Sequence, residues 1–462
     1  MKQDLTVIIL AAGQGTRMKS KKAKVLHEAG GDTILNHVIR AALTVADASR
    51  VIAVIGHQAD RVRESVTEPI EFALQSEQKG SGHAVLCAQP FVEPGAEVVM
   101  VLNGDGPLIR PDTLRALADA VLKGSKGAVV TTELDDPAGY GRIVRNQQGG
   151  IEAIVEERSA SAEIRRIREI NTGVYCFRSV LWDYLKQIQP TNAAGEYYVT
   201  DVAGLMTRNG DAVSPLLVKD STELLGINTL VELAVADGVL RQRKAQELML
   251  SGVTIENPAS VTIDAAVRVA PDTVIEANVQ LRGKTRVGED CHIGTGSVLR
   301  NCVVEDNVRI LPYVVAEASH MGANACVGPF SRLRMNAHAG AGTHIGNFVE
   351  LKKTTLGAGS KANHLAYLGD ATIGSGVNIG AGSITCNYDG AKKHQTHIED
   401  GVFVGSNSTL VAPLTIHKGS YVAAGSVITK EVEADALAIG RSRQSEKSGW
   451  AKRRRELKQV EK

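Results

Sequence analysis

Residues 263–299 consist of six consecutive hexapeptides and the first residue of a seventh, IDAAVR VAPDTV IEANVQ LRGKTR VGEDCH IGTGSV L. Each hexapeptide begins with an aliphatic residue and carries a small or β-branched residue at its fifth position. A helix does not have this pattern, because its apolar residues recur about every three to four positions. A period of six is typical of a parallel β-helix, in which each hexapeptide forms a short strand and a corner, and three of them close a triangular coil.

The same period continues toward the C-terminus with one or two shifts of phase. The first residue of each hexapeptide should point inward, and the residue four positions later should fill the adjacent corner. In the last hexapeptide of this series, Leu299 is the predicted inward residue and Val303 the predicted corner residue. Further inward positions are Met321, Val327, Leu333, Ile373, Ile379, Ile398, Val404, Leu410, Ile416, Val422 and Ile428. The repeat breaks between Ile384 and Thr396, which indicates an inserted loop. We expect about ten coils stacked roughly 4.8 Å apart, a prism on the order of 50 Å long.

Upstream of about residue 228, short apolar runs alternate with longer amphipathic stretches. The runs Val7–Leu10, Val51–Ile55 and Val98–Leu102 predict strands, and Leu35–Ala46 and Leu114–Leu122 predict helices. This alternation predicts an α/β domain with a mostly parallel sheet and helices on both faces. A long helix is predicted over Leu230–Leu250, before Gly252, as a connector between domains. Packing of its first half on the first domain is the open alternative.

Composition excludes several classes of function. A chain of 462 residues predicts two or three domains, and a net charge of +1 argues against nucleic-acid and membrane-surface binding. The first apolar run is too short for a signal peptide, and no segment approaches the roughly 18 to 20 apolar residues of a membrane span. The six cysteines form no C-x-x-C pair, which indicates reduced thiols. We therefore expect a soluble, cytoplasmic protein.

A glycine-rich segment, LAAGQGTRM from Leu10 to Met18, follows the first predicted strand. Its glycines allow backbone N–H groups to approach a phosphate, and Arg17 adds positive charge. It is neither a Walker A loop, which needs G-K-[ST], nor the dinucleotide fingerprint, which needs glycine in place of Met18. It resembles the L-x-x-G-x-G-T-R-M signature of sugar-phosphate nucleotidylyltransferases. Lys24 matches that family's next lysine, although Ala23 replaces the proline before it.

Further motifs extend the resemblance along essentially the whole chain. They are Gln75–Gln78, Gly80–Ala84, Asn103–Asp105, Gly139–Arg142, Val155–Glu156, Asn171–Gly173, Gly195–Tyr198 and Gly226–Asn228. Together they are similar to the family of bifunctional N-acetylglucosamine-1-phosphate uridylyltransferase/glucosamine-1-phosphate acetyltransferases. The resemblance implies acetyl transfer from acetyl-CoA to glucosamine-1-phosphate. It also implies Mg²⁺-dependent uridylyl transfer from UTP, which releases pyrophosphate and yields UDP-N-acetylglucosamine for peptidoglycan and lipopolysaccharide precursors.

The resemblance also implies roles for residues of the N-terminal site. Uridine and its phosphates would contact Leu10, Ala11, Ala12, Gly13, Arg17, Lys24, Gln75, Gly80, Ser81, Asn103 and Gly104. The N-acetylglucosamine moiety would contact Gly141, Glu156 and Asn171, and Asp105 and Asn228 would bind Mg²⁺. One carboxylate and one amide oxygen suit Mg²⁺, which takes its other ligands from phosphate and water. Because Asn103 and Ser81 replace the family's aromatic residue and threonine, we expect altered nucleotide contacts.

In the C-terminal half, the resemblance makes His364 the general base. An amine attacks a thioester only as the free base, and imidazole titrates near neutral pH. Glucosamine-1-phosphate would contact Arg334, Lys352, Tyr367 and Asn378, and acetyl-CoA would contact Ala381, Asn387, Tyr388, Ser406, Ala424 and Arg441. An acetyl-cysteine route through Cys386 is the alternative, but the sequence shows nothing that would activate the thiolate. Met335-Asn336 replaces the family's proline–glycine, which puts the turn after Arg334 in question.

The resemblance implies two catalytic domains and a homotrimer with acetyl sites between neighbouring prisms. The expected boundaries are a uridylyltransferase domain of α/β fold with a Rossmann-like mixed sheet at 1–228, a linker helix at 229–250, an all-β left-handed β-helix acetyltransferase domain at 251–437 and a basic tail at 438–462. The tail is expected to be solvated, with contact to the CoA phosphates as an alternative. A nucleotidylyltransferase with a merely regulatory β-helix and a non-catalytic scaffold are the competing functions. The long repeat and the presence of Lys24, Asp105 and His364 favour the bifunctional enzyme.

Overall fold

The computed structural model describes residues 4–190 and 195–460. Three segments of the predicted domains lie outside the described residues: the two ends, 1–3 and 461–462, and the internal segment 191–194. The chain forms two compact units that divide between Arg243 and Lys244, inside the predicted linker helix. The predicted domain boundaries remain predictions.

The N-terminal unit is built on one sheet with flanking helices. Its strands are β1 (Leu5–Ala11), β2 (Glu28–Ala29), β3 (Asp32–Thr33), β4 (Val51–Ile55), β5 (Glu71–Leu74), β6 (Val98–Asn103), β7 (Gly127–Glu133), β8 (Arg142–Arg145), β9 (Ile151–Val155), β10 (Glu169–Arg178) and β11 (Val213–Leu217). Its helices are α1 (Ile34–Leu43), α2 (Ala59–Glu64), α3 (Ser81–Ala88), α4 (Pro111–Leu122), α5 (Leu181–Leu185) and α6 (Thr200–Arg208). The predicted strands and helices are thus confirmed with small shifts at their ends.

The sheet order brings the ends of β1 and β6 together. The order is β11-β7-β10-β6-β1-β4-β5, with β8 paired to β10 and β9 to β8, and β10 runs antiparallel to β6 and β7. Side chains of β1 are buried on both faces, with Val7 and Ile8 in separate clusters, because helices cover the sheet on both sides. Leu10 pairs with Asn103, so the glycine-rich turn and the Asn103–Asp105 segment leave the same sheet edge. Ligands bind at such carboxyl edges of α/β sheets.

Helix α7 (Leu230–Leu250) has the predicted bounds. Thr229 and Glu232 form a capping box: the Glu232 N–H donates to Thr229 Oγ1 at 3.2 Å, and the Thr229 N–H donates to Glu232 Oε2 at 2.7 Å. Ala236 is buried with Met18 of the N-terminal unit, which confirms the alternative that the first half of the helix packs on that unit. Near the end of α7, Leu248 belongs to the core of the C-terminal unit.

The C-terminal unit is the predicted left-handed β-helix, whose coils contribute strands in turn to three parallel sheets. The first sheet contains Thr254–Ile255, Val274–Ile275, His292–Ile293, Arg309–Ile310, Cys326–Val327, His344–Asn347, Lys361–His364, Asn378–Ile379, Phe403–Val404, Tyr421–Val422 and Leu437–Ala438. The second contains Thr262–Ile263, Gln280–Arg282, Val298–Arg300, Val315–Glu317, Arg332–Arg334, Glu350–Lys352, Tyr367–Gly369, Ile384–Cys386, Thr409–Val411 and Val427–Ile428. The third contains Arg268–Val269, Arg286–Val287, Val303–Val304, His320–Met321, His338–Ala339, Thr355–Leu356, Ala371–Ile373, Thr396–Ile398 and Leu414–Ile416.

The inward positions predicted from the six-residue period are buried, but the predicted corner residue at Val303 is wrong. Val303 is 43% exposed, and Cys302, at 0%, fills the corner instead. Val303 pairs with Arg286, 17 residues earlier, whereas Gln280 pairs with Thr262, 18 residues earlier. The coil is one residue short, which is the physical origin of the phase shift.

Two irregularities lie close to the predicted acetyltransferase residues. Thr372 pairs with His397, 25 residues later, so the break in the repeat is an inserted loop, as predicted. In place of proline–glycine, Met335 and Asn336 adopt left-handed conformations with φ of 55° and 60°. Arg334 keeps its register opposite Lys352, so the turn differs without displacing the arginine.

The remaining sequence expectations concern the tail, the thiols and membrane spans. Helix α8 (Trp450–Val460) is exposed along residues 450–458, which agrees with a solvated basic end. All six cysteines are free, and burial raises the pKa of the thiols of Cys176, Cys291 and Cys302. Within residues 4–190 and 195–460, no helix has the length and apolar character to cross a membrane.

Candidate active sites

A cleft of about 220 Å³ lies at the carboxyl ends of β1 and β6. It is lined by Leu10, Ala11, Gly13, Gly15, Thr16, Arg17, Lys24, Val25, Asn103, Asp105 and Asn228. The structure therefore brings together eight of the residues predicted for the nucleotide and metal site. Gly15, Thr16 and Val25 were missed as site residues, although they lie inside or beside the quoted motif.

Lys24 lies between the two predicted metal ligands. Its Nζ forms an ion pair with the Asp105 carboxylate and donates a hydrogen bond to Asn228 Oδ1 at 3.0 Å. The side chains of Lys24 and Asp105 are only 14% and 22% exposed. The carboxylate and the amide oxygen thus already converge on one cationic group, which is the donor arrangement that a divalent cation requires.

Glu232 fixes the position of Asn228 and was not predicted as a site residue. Its Oε2 accepts a hydrogen bond from the Asn228 N–H at 2.6 Å, in addition to the capping bond from Thr229. The sequence signal was available, because T-x-x-E immediately before a helical stretch is the pattern of a capping box. The first turn of helix α7 therefore holds Asn228 next to Lys24.

Two glycines allow close approaches within this site. At Gly15, with φ of 67°, a Cβ would lie 2.5 Å from the Cβ of Lys24. At Gly173, with φ of 76°, a Cβ would lie 2.0 Å from Nδ2 of Asn103, which donates to Thr172 O at 3.3 Å. Any larger residue at either position would displace a predicted substrate contact.

The other predicted nucleotide residues flank the cleft and are fixed by hydrogen bonds. Gln75 is buried and donates from Nε2 to Gly80 O at 3.1 Å. Ser81 begins α3, and its Oγ accepts from the Val199 N–H at 3.0 Å, an arrangement in which the hydroxyl can still donate its own proton to a ligand. The backbone around Ala12 and Gly104 is fixed as well: Ala12 O accepts from Gln78 Nε2 at 2.7 Å, and the Gly104 N–H donates to Leu10 O at 2.9 Å.

The three residues predicted to contact the sugar also meet. The Asn171 N–H donates to Gly141 O at 2.8 Å, and a Cβ at Gly141 would lie 3.2 Å from Glu156 Oε1. Asn171 also donates from Nδ2 to the Tyr175 hydroxyl at 2.7 Å. Burial, reinforced by the nearby charge of Asp201, raises the pKa of Glu156. Glu156 thus offers a desolvated carboxyl group, and Asn171 an amide, to the hydroxyl groups of a sugar.

Arg142 was assigned no role from the sequence, although it was part of a quoted motif. Arg142 is 2% exposed, and its guanidinium forms an ion pair with Glu157 at 2.8 Å and reaches Arg165 O at 3.5 Å. It directly follows Gly141, and Glu157 directly follows Glu156. This ion pair, in which only Arg142 is buried, therefore connects the ends of β8 and β9 that carry the sugar residues.

In the β-helix, three of the predicted acetyl-CoA residues form a single row with His364. Asn347, His364, Ala381, Ser406 and Ala424, here called the His364 column, occupy equivalent positions at one corner of successive coils. The N–H groups of Leu365, Gly382, Asn407 and Gly425 donate to the carbonyl oxygens of Asn347, His364, Ala381 and Ser406 at 3.1, 3.3, 2.7 and 2.8 Å. Arg441 reaches the end of the row, where a Cβ at Gly425 would lie 3.8 Å from its Cδ.

Asn347, which was missed, orients His364. His364 Nδ1 lies 2.9 Å from Asn347 Oδ1. Because an amide oxygen only accepts, Nδ1 carries the proton, and the lone pair of the neutral ring is on Nε2. His364 is exposed in the single chain, so Nε2 is available to a substrate. The signal for Asn347 is its position one coil before His364, opposite it in the strand register.

A cationic cluster lies on the second sheet and the inserted loop. Arg334 donates from Nε to Glu350 at 2.6 Å, and buried Lys352 donates from Nζ to Asp370 at 2.5 Å. Lys353 lies 3.9 Å from Asp370. Lys393 contacts Lys352, and this contact lowers the pKa of Lys393. Neither Asp370 nor Lys393 was predicted, because no motif marks them.

The other predicted acetyltransferase residues are divided between sheets. Tyr367 lies opposite Glu350 on the second sheet, and its hydroxyl and Asn387 both border Gly369. Asn378 lies on the first sheet, opposite Lys361 and Phe403, and not beside Arg334 or Lys352. Exposed Tyr388 is in the inserted loop, where its hydroxyl donates to Gly390 O at 2.6 Å.

Comparison with known proteins gives a consistent result for both units. Residues 7–195 match the model of the MobA-like NTP transferase domain, and residues 395–430 match the model of the bacterial transferase hexapeptide (six repeats). A relative named bifunctional protein GlmU from Solibacter usitatus (strain Ellin6076) is 51% identical over 99% of both chains. The protein of that name from Koribacter versatilis (strain Ellin345) is 48% identical over 97% of both chains. The one from Geobacillus sp. (strain WCH70) is 45% identical over 96% of this chain and 97% of the relative.

Proposed function

The chain belongs to the family of bifunctional GlmU proteins, and from this premise we propose which of its residues carry each reaction. Members of the family are uridylyltransferases and acetyltransferases. The enzyme acetylates glucosamine-1-phosphate with acetyl-CoA, then transfers the uridylyl group of UTP to N-acetylglucosamine-1-phosphate, and so makes UDP-N-acetylglucosamine.

His364 is the general base of acetyl transfer. Its Nε2 accepts a proton as the amine nitrogen of glucosamine-1-phosphate attacks the thioester carbonyl and forms the amide bond. The C–S bond then breaks, and the departing CoA thiolate takes up a proton. The hydrogen bond to Asn347 supports this role, because it holds the ring in the tautomer whose Nε2 is basic.

The cationic cluster binds the phosphate of the acetyl acceptor. Arg334, Lys352, Lys353 and Lys393 supply four cations, and two carboxylates accompany them, those of Glu350 and Asp370. The surplus of two positive charges matches a phosphate monoester dianion. Tyr367 borders the same region, which supports its predicted role in holding the sugar. Asn387, predicted to contact acetyl-CoA, lies beside it, and we assign it to the sugar as well.

Acetyl-CoA extends along the His364 column, and the neighbouring chain of a homotrimer covers the site. Beside the column, exposed apolar side chains form a ladder at the same corner. The ladder consists of Tyr313, Phe330, Phe348 and Leu365, which are 49% to 62% exposed and all have left-handed φ angles. The first three rings stack at 5.3 and 5.6 Å. An exposed apolar ladder next to an exposed catalytic base supports a second chain at this corner.

Phe348→Asp tests this assembly, since Asp tolerates the left-handed backbone and places a charge in the ladder. We expect sedimentation to show dissociation of the trimer, together with loss of acetylation and retention of uridylyl transfer. A Phe348→Asp protein that remains trimeric would exclude the ladder as the interface.

The cleft of the N-terminal unit aligns the uridylyl transfer. The phosphate oxygen of N-acetylglucosamine-1-phosphate is already an anion, so its attack on the α-phosphorus of UTP needs no general base. That attack forms the new P–O bond, and the bond to pyrophosphate breaks. Arg17 and Lys24 neutralise the phosphates, while Gly141, Glu156 and Asn171 hold the sugar in line.

The family and its NTP transferase domain are consistent with a metal-dependent enzyme. Asp105 and Asn228 would hold Mg²⁺, because their oxygens already converge on the Lys24 ammonium. Bound there, Mg²⁺ would neutralise charge on the triphosphate. We place the reactions in the cytoplasm, where UTP and acetyl-CoA are made.

The His364 column is the observation that carries the proposal, because one row holds the base and three of the predicted acetyl-CoA residues. The test measures acetylation with glucosamine-1-phosphate and acetyl-CoA, and measures uridylyl transfer separately with added N-acetylglucosamine-1-phosphate, UTP and Mg²⁺. His364→Ala should abolish acetylation alone, and Asp105→Ala should abolish uridylyl transfer alone. Loss of both half-reactions in either folded variant would refute the assignment of residues to two sites.

A further inference from the structure

Asp370 is a buried carboxylate to which neither the sequence nor the two reactions assign a role. It is 5% exposed and lies in the turn after the strand Tyr367–Gly369, with a left-handed φ of 48°. Its backbone is fixed on both sides: the Asp370 N–H donates to Lys352 O at 2.9 Å, and its carbonyl accepts from the Thr396 N–H at 3.2 Å. The carboxylate therefore has a defined position.

Two predicted substrate residues meet on this carboxylate from different parts of the fold. Lys352, from the second sheet, and Asn387, from the inserted loop, both donate to Asp370 Oδ2 at 2.5 Å. Since Nδ2 of Asn387 is bound to Asp370, its Oδ1 points away from the carboxylate. One side chain thus fixes both the cation for the phosphate and the orientation of the loop amide.

Lys352 depends on this contact for its charge. It is 3% exposed, and a buried ammonium is stable only when it is paired. The other charged or titratable groups around it are Lys353, Lys393 and Tyr367, and its contact with Lys393 lowers the pKa of Lys393. Burial lowers the pKa of Lys352, but the hydrogen bond and charge of Asp370, together with Lys393 and Tyr367, more than offset that effect, and the net pKa is raised.

We propose that Asp370 is a positioning residue of the acetyltransferase site, which keeps Lys352 charged and Asn387 oriented for glucosamine-1-phosphate. It acts through these two residues and does not contact the reacting atoms. The inference rests on the proposed acetyltransferase site. It predicts a specific effect on affinity for the sugar phosphate, which a merely structural ion pair would not produce.

The experiment measures CoA release against glucosamine-1-phosphate concentration from pH 7 to 9 in the full-length chain. In Asp370→Asn we expect KM for glucosamine-1-phosphate to rise about tenfold, as for loss of a charged hydrogen bond. KM should rise further with pH as Lys352 loses its proton, and uridylyl transfer should be unchanged. Asp400→Asn is the matched control: exposed Asp400 accepts from the Ser375 N–H at 2.7 Å, and its variant should behave as wild type.

A double variant shows whether Asp370 acts through Lys352. In a Lys352→Met background, adding Asp370→Asn should cause little further rise in KM, because the effects of interacting residues are not additive. If Asp370→Asn does not fold, Asp370→Glu replaces it. Asp370→Glu retains the charge, should keep the pH dependence flat, and should raise KM because the longer side chain displaces Lys352.

Two results would overturn the inference. One is a folded Asp370→Asn, or Asp370→Glu in its place, with the KM of the wild type at every pH. The other is a variant in which both half-reactions fall together. A wild-type chain that releases no CoA with glucosamine-1-phosphate would instead refute the proposed function.

Discussion

The contact between Asn347 and His364 allows a quantitative test of the acetyltransferase site. In Asn347→Ala the 2.9 Å hydrogen bond to Nδ1 is lost, and the ring is free to rotate and to change tautomer. A neutral hydrogen bond contributes about 1 to 1.5 kcal/mol. If this contribution is realised in the transition state, kcat for acetylation should fall about five- to tenfold. His364→Ala should cost more, roughly 10²- to 10⁴-fold, because it removes the base itself.

The assay is thiol release from acetyl-CoA under saturating substrates, with uridylyl transfer measured on the same preparation. Asn257→Ala, at an exposed asparagine at the start of the β-helix, serves as the control and should retain both activities. The Asn347 reasoning fails if Asn347→Ala acetylates at the wild-type rate, or if combining it with His364→Ala causes a further loss. In the second case, Asn347 would act independently of the imidazole.

Four further predictions concern the nucleotide cleft, helix α7, the ion pair between Lys352 and Asp370, and the His364 column. Gly15→Ala should reduce uridylyl transfer strongly and leave acetylation intact, since its Cβ would lie 2.5 Å from that of Lys24. Gly238 is exposed inside α7, and a Cβ there would meet no atom of the described residues within 4 Å. Gly238→Ala should therefore raise the free energy of unfolding, measured by denaturant titration, by about 0.5–1 kcal/mol. Burial raises the pKa of Asp370, but hydrogen bonds from Lys352 and Asn387, together with the charges of Lys352 and Lys353, bring it below the usual value. Its contribution to stability is therefore present above about pH 4 and lost at lower pH, so the melting temperatures of wild type and Asp370→Asn should converge there. Ala424→Leu should raise KM for acetyl-CoA but not for a short acetyl thioester that ends near His364.

The β-helix could be predicted because its information is local and periodic. Inward residues such as Ile263 and Ile416 recur every six positions, and burial follows from that spacing alone. The sequence could not show which coil lacks a residue, because Cys302 and Val303 are both small enough for a corner. The pairing of Val303 with Arg286 decides between them, and that pairing exists only in the stacked coils.

The two sites differ in how much of them the sequence contains. The nucleotide cleft follows short motifs, so Lys24, Asp105 and Asn228 were predicted together and are found together. Asp370 was not predicted, because it lies 18 residues from Lys352 and 17 from Asn387. Residues one coil apart become neighbours only through stacking and through the path of the inserted loop, and neither leaves a motif.

The geometry of the His364 column explains why a solenoid suits a long thioester substrate. Coils place equivalent residues about 4.8 Å apart, so the four steps from Asn347 to Ala424 span roughly 19 Å in a straight row. The residues are unevenly spaced in sequence, since the inserted loop lies between Ala381 and Ser406, yet the backbone hydrogen bonds of the corner keep the row regular. The side chains beyond His364 in this row, at Ala381, Ser406 and Ala424, are small and leave room for an extended chain. The row can therefore guide the CoA arm while its other end holds the imidazole and the amide that orients it.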